Sequence, residues 1–270
     1  MIPETRSDAT GERIVKALQD ASLGAENVAG GVAGQAASVV QHSFLAWAEA
    51  AETQLRNVFV PSAVAEMLWT ERFWGITRSD RATPRLIQTI LAEVQDRSSY
   101  FDSLRGWVVQ QVRRWQEPVR VLVVPDTNVL LASGEAWLGI DWAKAAESTI
   151  GVRLVVPMVA IHELDRLKRV GNQEARTGAR AALRWLTGNF TFRSLVERVG
   201  LSDSADVSVE VFVDDSPARR VDPDGEIIGV TSTLRQLGQV PTRLATYDLG
   251  MRLRAASRGV DVVQLPERDG

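Results

Sequence analysis

The sequence predicts two parts of different fold class: an all-helical module over residues 1–117, and an α/β fold over residues 118–267. The α/β part is expected to be a three-layer α/β/α sandwich with a central parallel sheet. In the first part, apolar residues recur at helical spacing. From Val119 onward, β-branched runs alternate with amphipathic stretches of helical length, and strands separated in this way pair in parallel.

Five stretches predict the helices of the first part. A Gly-rich segment over residues 24–34 is expected to separate the first two, and Thr83-Pro84 is a good N-cap and first-turn pair for the fourth. This half holds five of the eight tryptophans and is interpreted as a scaffold or dimer surface, with its aromatic side chains in packing roles. The predicted helices are Glu12–Leu18, Gln35–Val58, Ser62–Trp74, Thr83–Val94 and Leu104–Trp115.

Five strands and five helices are predicted in the second part. In open sheets of this kind, ligands bind at the carboxyl ends of the strands. The predicted strands are Val119–Val124, Arg153–Val156, Val207–Val213, Arg243–Thr246 and Val260–Val263. The predicted helices are Trp137–Glu147, Val159–Val170, Glu174–Leu186, Glu226–Leu237 and Leu249–Ser257.

The composition excludes several classes of protein. Cysteine is absent, which removes thiol nucleophiles, disulfides and Cys-ligated metal centres and fits a reducing compartment. Two histidines are too few for an ordinary zinc site. The N-terminus lacks a signal-peptide pattern, and no run of about 18 apolar residues predicts a membrane span, so we expect a cytoplasmic protein. The net charge of −3 argues against coating of nucleic acid by bulk charge.

Acidic residues stand at the carboxyl ends of the predicted strands. Asp126 follows the first strand, Glu163 lies in the helix after the second, and Asp248 closes the fourth. Asp224 precedes the fourth predicted helix. Several carboxylates at one rim repel one another unless hard cations neutralise them. Oxygen-only ligands select Mg²⁺ or Mn²⁺, and such ions promote phosphodiester hydrolysis.

These segments resemble the motifs of PIN-domain nucleases, over roughly residues 120–266. Asp126–Asn128 is similar to the first motif of that family and Glu163–Asp165 to the second. Asp224 before an apolar helix start is similar to the third, and Thr246–Asp248 to the fourth. The resemblance implies that the four acids bind Mg²⁺ or Mn²⁺ and cleave RNA, and that two polar residues assist. The implied catalytic metal ligands are Asp126, Glu163, Asp224 and Asp248, and the assisting residues are Asn128 and Thr246.

The third acid has alternatives. The Pro223-Asp224-Gly225 segment is also an ordinary turn signal, so Asp222 or Glu226 could be the third acid instead. Asp224 is preferred over both. Two further acids, Asp214 and Asp215, end a predicted strand and are interpreted as turn residues rather than ligands.

A basic segment lies beside the second motif. Residues 164–193 contain seven basic side chains and two acidic ones. Arg176, Arg180 and Arg184 recur every four residues and therefore share one helix face, which suits a phosphate backbone. A solvated helix face balanced by neighbouring acids is the alternative, and the sequence does not separate the two. The candidate RNA contacts are Arg166, Lys168, Arg169, Arg176, Arg180 and Arg184.

The sequence therefore predicts a Mg²⁺- or Mn²⁺-dependent ribonuclease that cleaves RNA endonucleolytically, in RNA processing or regulation. One alternative is a toxin of a toxin–antitoxin pair, which the long helical extension disfavours. Another is a catalytically silent PIN-like module that binds RNA or protein, which the presence of all four acids disfavours. A different phosphotransfer enzyme on a similar sheet is disfavoured, because the sequence has no Gly-x-x-x-x-Gly-Lys phosphate loop before a helix. RNA is the expected partner, and a homodimer through the N-terminal helices or the PIN-like domain is a further expectation.

Overall fold

A computed structural model gives the fold of the chain. It describes residues 3–79, 83–131, 136–191, 193–194, 196–201, 206–213 and 222–266. Asp214 and Asp215 lie outside these residues. The chain divides into one unit of residues 2–114 and a second of residues 115–270. Within the described ranges, no helix is both long and apolar enough to cross a membrane.

The first unit is built of helices, as the sequence predicts. The largest fully buried side chains include Ile14, Leu18, Phe44 and Leu55, so the apolar positions at helical spacing form its core. The helices are α1 (Gly11–Gly30), α2 (Ala37–Leu55), α3 (Pro61–Leu68), α4 (Glu71–Thr77) and α5 (Pro84–Gln116).

The first two helices are separated, as the sequence predicts, but the break falls at residues 31–36 rather than at the start of the Gly-rich segment 24–34. Helix α1 continues through Gly24 to Gly30. Gly24 is needed because the indole of Trp47 packs directly on it: a Cβ at this position would lie 2.6 Å from Trp47 Cδ1. The Trp47 Nε1–H also donates a hydrogen bond to the carbonyl of Ala21, at 3.0 Å. This glycine therefore serves a helix–helix contact rather than a helix end.

Two other helix predictions for the first unit are wrong in their boundaries. The third predicted helix is divided into α3 and α4, because the Thr70 hydroxyl accepts a hydrogen bond from the N–H of Phe73 and caps a new helix. The last two predicted helices are the single helix α5. The polar residues between them include Ser98, whose buried hydroxyl lies 2.9 Å from that of Ser22 in α1. A polar stretch thus marks an interhelical hydrogen bond here.

The second unit contains a mostly parallel sheet with helices on both faces, which confirms the predicted α/β fold class. Within the described residues the sheet has six strands, in the order β3-β4-β2-β1-β5-β6. Only the pairing of β3 with β4 is antiparallel among these strands. The strands are β1 (Val121–Pro125), β2 (Val152–Pro157), β3 (Arg198–Gly200), β4 (Val207–Phe212), β5 (Thr242–Ala245) and β6 (Asp261–Val262).

The helices of the second unit follow the predictions with two exceptions, the first being the four-residue helix Thr127–Leu130, which was not predicted. The predicted helix Trp137–Glu147 is a 3-10 turn over Ala136–Gly139 followed by a short α-helix, because Asp141 accepts a hydrogen bond from the N–H of Lys144 and begins a new helix. The α-helices are α6 (Thr127–Leu130), α7 (Trp142–Ala145), α8 (Met158–Val170), α9 (Gln173–Asn189), α10 (Pro223–Gly238) and α11 (Leu249–Ser257).

Side chains of the central strands alternate between two buried faces. Val123 of β1 and Leu154 of β2 belong to one apolar cluster with Leu164 of α8 and Ala182 of α9. On the other face, Leu122 approaches the C-terminal end of α10. Burial on both faces accounts for the nearly continuous apolar composition of β1 and β2.

A buried ion pair lies within the sheet, on residues that alternate with those of the apolar cluster. Arg153 of β2 is 3.6 Å from the carboxylate of Glu210 on β4, and both side chains are fully buried. Arg198 of β3 pairs with the same carboxylate at 2.9 Å. Arg153 also donates to the carbonyl of Pro118, at 3.1 Å. These contacts join β2, β3 and β4 to the segment that precedes β1.

Candidate active site

The carboxyl ends of β1, β2 and β5 lie at the same edge of the sheet because these strands run parallel. Asp126 follows β1, and its backbone N–H donates to the carbonyl of Ala245 at the end of β5, at 2.8 Å. Thr246 follows β5 and is fully buried. Its hydroxyl donates to Asp126 Oδ2, at 2.8 Å. The edge of the sheet therefore brings the first and fourth sequence motifs into direct contact.

Thr246 is the centre of a hydrogen-bond network at this edge. Its hydroxyl accepts hydrogen bonds from Asn128 Nδ2 at 3.3 Å and from the N–H of Asp248 at 3.1 Å. Asn128 Oδ1 accepts from the N–H of Tyr247, at 3.3 Å. One donated and two accepted bonds satisfy the hydroxyl and fix the direction of the bond that it donates to Asp126. The two residues predicted to assist the site thus contact each other and orient its first acid.

Asp126 is a buried carboxyl group with only 5% of its surface exposed. The pKa of Asp126 is raised to about 6, first by burial and then by repulsion from Asp224 and Glu163. Hydrogen bonds from the Thr246 hydroxyl and the Thr127 N–H oppose this rise. The charges of three acids from three separate elements therefore act on one another at the edge of the sheet.

Glu163 lies on α8 with 21% of its side chain exposed. The buried hydroxyl of Thr127 donates to Glu163 Oε2 at 2.8 Å, and Arg166 approaches Oε1 at 3.3 Å. Thr127 is not among the residues predicted from the sequence to assist the site. Its place directly after Asp126 at the end of a buried strand is the signal that could have identified it.

Asp224 lies in the first turn of α10 and pairs with Arg254 of α11. Arg254 also contacts Asp222, at 3.2 Å. Arg254 is not among the predicted site residues, because its contact with Asp224 depends on the packing of two helices and not on spacing along the chain. Glu226, the other alternative to Asp224, lies on the same turn and is partly buried.

Asp248 has a local structural role in addition to its place in the fourth motif. It is the N-cap of α11, where its Oδ1 accepts a hydrogen bond from the N–H of Met251 at 2.7 Å. The residue is exposed at the edge of the sheet. Its other carboxylate oxygen, Oδ2, makes no hydrogen bond within the part of the chain that the structure describes.

The predicted RNA-contacting residues occupy α8 and α9. Arg176, Arg180 and Arg184 are exposed on α9, and no ion pair within the described residues involves them. On α8, Arg166 pairs with Glu163 and Lys168 pairs with Asp165. Arg169 is exposed on the last turn of that helix. The positive charge of α9 is therefore not balanced by acids paired to it.

Comparison with known families identifies the second unit. The model of the PIN domain matches residues 123–265, which include all four predicted acids. The chain belongs to the PIN-domain family. PIN domains are generally nucleases, so the second unit has a nuclease-like fold.

Comparisons with individual proteins add little to the family assignment. No curated protein matches the chain. Among solved structures, the chain is similar to a domain of a functionally unknown protein from Methanocaldococcus jannaschii DSM 2661. The two share 15% sequence identity with a TM-score of 0.38, over 56% of this chain and 94% of that chain.

The acids of the PIN domain fit a divalent cation in their chemistry. Asp126, Glu163 and Asp224 offer only oxygen ligands, which Mg²⁺ and Mn²⁺ prefer, and the partners of the buried Asp126 are neutral donors. Across the described ranges, no three acidic or histidine side chains stand close enough to share one ion. Glu163 and Asp224 are each paired with an arginine in this arrangement.

Proposed function

We propose that the PIN domain is a Mg²⁺- or Mn²⁺-dependent endoribonuclease whose metal ligands are Asp126, Glu163, Asp224 and Asp248. Asp126 carries the proposal. It is a buried carboxyl group at the edge of the sheet, repelled by Asp224 and Glu163, and its hydrogen-bond donors among the described residues are all neutral. A carboxylate in such a place is stabilised when a cation neutralises it.

The residues around Asp126 prepare the site for this role. Thr246 and Asn128 hold Asp126 in one orientation, and Thr127 holds Glu163 by the hydrogen bond at 2.8 Å. Orientation of this kind matters because a displacement of about 1 Å in a catalytic group can cost about a hundredfold in rate. Bound Mg²⁺ or Mn²⁺ would supply Lewis-acid activation of the attacking water and neutralise charge on the phosphodiester.

The basic face of α9 supports RNA as the substrate. Arg176, Arg180 and Arg184 share one exposed face, and acids within the described residues do not pair with them. Arg169 adds an exposed positive charge on α8, which also carries Glu163. Guanidinium groups arranged in this way bind a phosphate backbone through charge and bidentate hydrogen bonds.

The proposal is tested by incubating the full-length protein with end-labelled single-stranded RNA in Mn²⁺, in Mg²⁺ and in EDTA. Asp126→Asn is compared with Asp261→Asn, which removes an exposed aspartate on β6. We expect wild type and Asp261→Asn to cleave in Mn²⁺ or Mg²⁺, with no cleavage in EDTA or by Asp126→Asn. Cleavage that persists in EDTA would contradict the metal mechanism. Binding of RNA without cleavage in any metal would instead identify a catalytically silent PIN domain.

A further inference from the structure

Arg254 reaches from α11 to the N-terminal end of α10, where two acids meet it. Its guanidinium pairs with Asp224 and lies 3.2 Å from Asp222 Oδ2. Burial is the first cause of the raised pKa of Asp126, and the charges of Asp224 and Glu163 raise it further. A positive charge held on Asp224 therefore reduces the repulsion that Asp126 experiences.

Helix α11 is fixed in position by two contacts close to the site. Asp248 caps its first turn through the N–H of Met251, and Arg252 Nε donates to the carbonyl of Thr246 at 3.2 Å. Thr246 in turn holds Asp126. These contacts hold α11 next to Thr246 and Asp126, so Arg254 extends from a helix whose position beside the acids is fixed.

The first turn of α10 also accommodates the ion pair between Asp222 and Arg254. Asp222 is the N-cap residue of α10, yet its carboxylate makes no capping hydrogen bond and pairs with Arg254. Gly225 leaves room for this carboxylate, because a Cβ at that position would lie 2.5 Å from Asp222 Oδ2. An aspartate at an N-cap ordinarily accepts from the N–H groups of the first turn. In this chain that contact is replaced by one to an arginine.

We propose that Arg254 is a built-in counter-ion of the acidic site, which occupies Asp224 and lowers the affinity of the site for a divalent cation. The inference rests on the proposed function, since it takes Asp224 as a ligand. The guanidinium contacts Asp224 Oδ2, so an ion that takes this oxygen displaces Arg254, and an ion bound by Oδ1 alone meets the opposing charge of Arg254. The pair is exchangeable because Arg254 and Asp224 are 43% and 42% exposed, and ion pairs this exposed are weak.

The test is the affinity for Mn²⁺ of the full-length protein, measured by calorimetry without RNA. Arg254→Gln removes the counter-ion. Arg258→Gln removes an exposed arginine from the end of the same helix that has no ion pair among the described residues. We expect Arg254→Gln to bind Mn²⁺ about fivefold to tenfold more tightly than wild type, from loss of one opposing charge, and Arg258→Gln to bind within about twofold of wild type.

A second variant and a measurement without metal guard against a misfolded protein. Arg254→Lys keeps the charge but loses the fork that contacts two carboxylates, so its affinity should lie between those of wild type and Arg254→Gln. In EDTA, Arg254→Gln should melt at a lower temperature than wild type. Asp224→Asn should remove this difference when it is combined with Arg254→Gln, because the acid that Arg254 neutralises is then absent.

The outcomes separate the inference from the proposed function. If wild type binds Mn²⁺ and Arg254→Gln binds it equally or more weakly, the counter-ion role is overturned and the metal site stands. The same holds if Arg258→Gln gains as much affinity as Arg254→Gln, since bulk charge would then be the cause. If none of the proteins binds Mn²⁺, the metal site itself is refuted and the role of Arg254 falls with it.

Discussion

Replacement of Asp126 by asparagine should stabilise the metal-free protein, and more so at high pH than at low pH. Asparagine has nearly the same shape, and its amide oxygen can still accept the hydrogen bond that the Thr246 hydroxyl donates, although its NH2 group cannot accept the bond from the Thr127 N–H. The loss of that bond is the same at every pH, so the pH dependence comes from the charge. What the substitution removes is a charge that burial disfavours. The pKa of Asp126 rises from 3.8 to about 6 in the folded protein. The folded state therefore binds this proton more tightly than the unfolded chain, and the free energy of unfolding falls as the pH rises through that window.

The size of the effect follows from the shift of the Asp126 pKa. A rise from 3.8 to about 6 corresponds to about 3 kcal/mol when the group is fully ionised, because one pKa unit is about 1.4 kcal/mol. Between about pH 5 and pH 8, the free energy of unfolding of the wild type falls by roughly half of this, about 1.4 kcal/mol. For a unit of this size, that difference moves the melting temperature by about 3–6 °C.

The assay is thermal unfolding of wild type, Asp126→Asn and Asp261→Asn in EDTA at both pH values. Asp126→Asn should gain about 3–6 °C more over wild type at pH 8 than at pH 5. Asp261→Asn, which changes an exposed aspartate, should shift little at either pH. Mn²⁺ at pH 8 should then raise the melting temperature of wild type more than that of Asp126→Asn. An equal difference between Asp126→Asn and wild type at the two pH values would refute the argument, because it would mean that the ionised carboxylate is not penalised by the fold.

Two further predictions concern the basic face of α9 and the packing of the helical unit. Replacing Arg176 and Arg180 by glutamate should weaken RNA binding and reduce the slope of log affinity against log salt by about 2. The affinity for Mn²⁺ should stay the same. A salt titration of RNA binding by fluorescence anisotropy measures the slope. Gly24→Ala should destabilise the first unit by about 1–3 kcal/mol, because its Cβ would meet the indole of Trp47. Gly106→Ala, in helix α5 with open space around its Cα, should instead stabilise it by up to about 1 kcal/mol, and urea unfolding distinguishes the two.

Much of the second unit could be predicted because its signals are local. The strand before Asp126 is a continuous apolar run, as burial on two faces requires, and an acid after such a strand must emerge at the carboxyl edge of a parallel sheet. The same argument places Thr246 and Asp248 after β5. Contact between Asp126 and Thr246 then follows from parallel pairing of β1 with β5.

Other features could not be predicted because they depend on contacts distant in sequence. The pairing of Arg254 with Asp224 requires the packing of α11 against the start of α10, which no local pattern encodes. Strand β3 has three residues and a mostly exposed surface, so it has no apolar period. Gly24 resembles a helix end until Trp47 is placed against it. In each case the local sequence predicts an ordinary structural role, and the actual role depends on a contact with a residue distant in sequence.

The partners of the acids differ with their depth, and this difference bears on how the site could work. Asp126, which is buried, is held by a hydroxyl and a backbone N–H, whereas the more exposed Glu163 and Asp224 are paired with arginines. A buried arginine against Asp126 would form an ion pair that is costly to separate, and the acid would be lost to any other cation. Neutral donors orient the buried carboxylate without cancelling its charge. Exposed arginines can exchange because their pairs are worth little in water. The arrangement therefore keeps the deepest charge unneutralised and places the exchangeable cations at the rim, where an incoming ion or phosphate would meet them first.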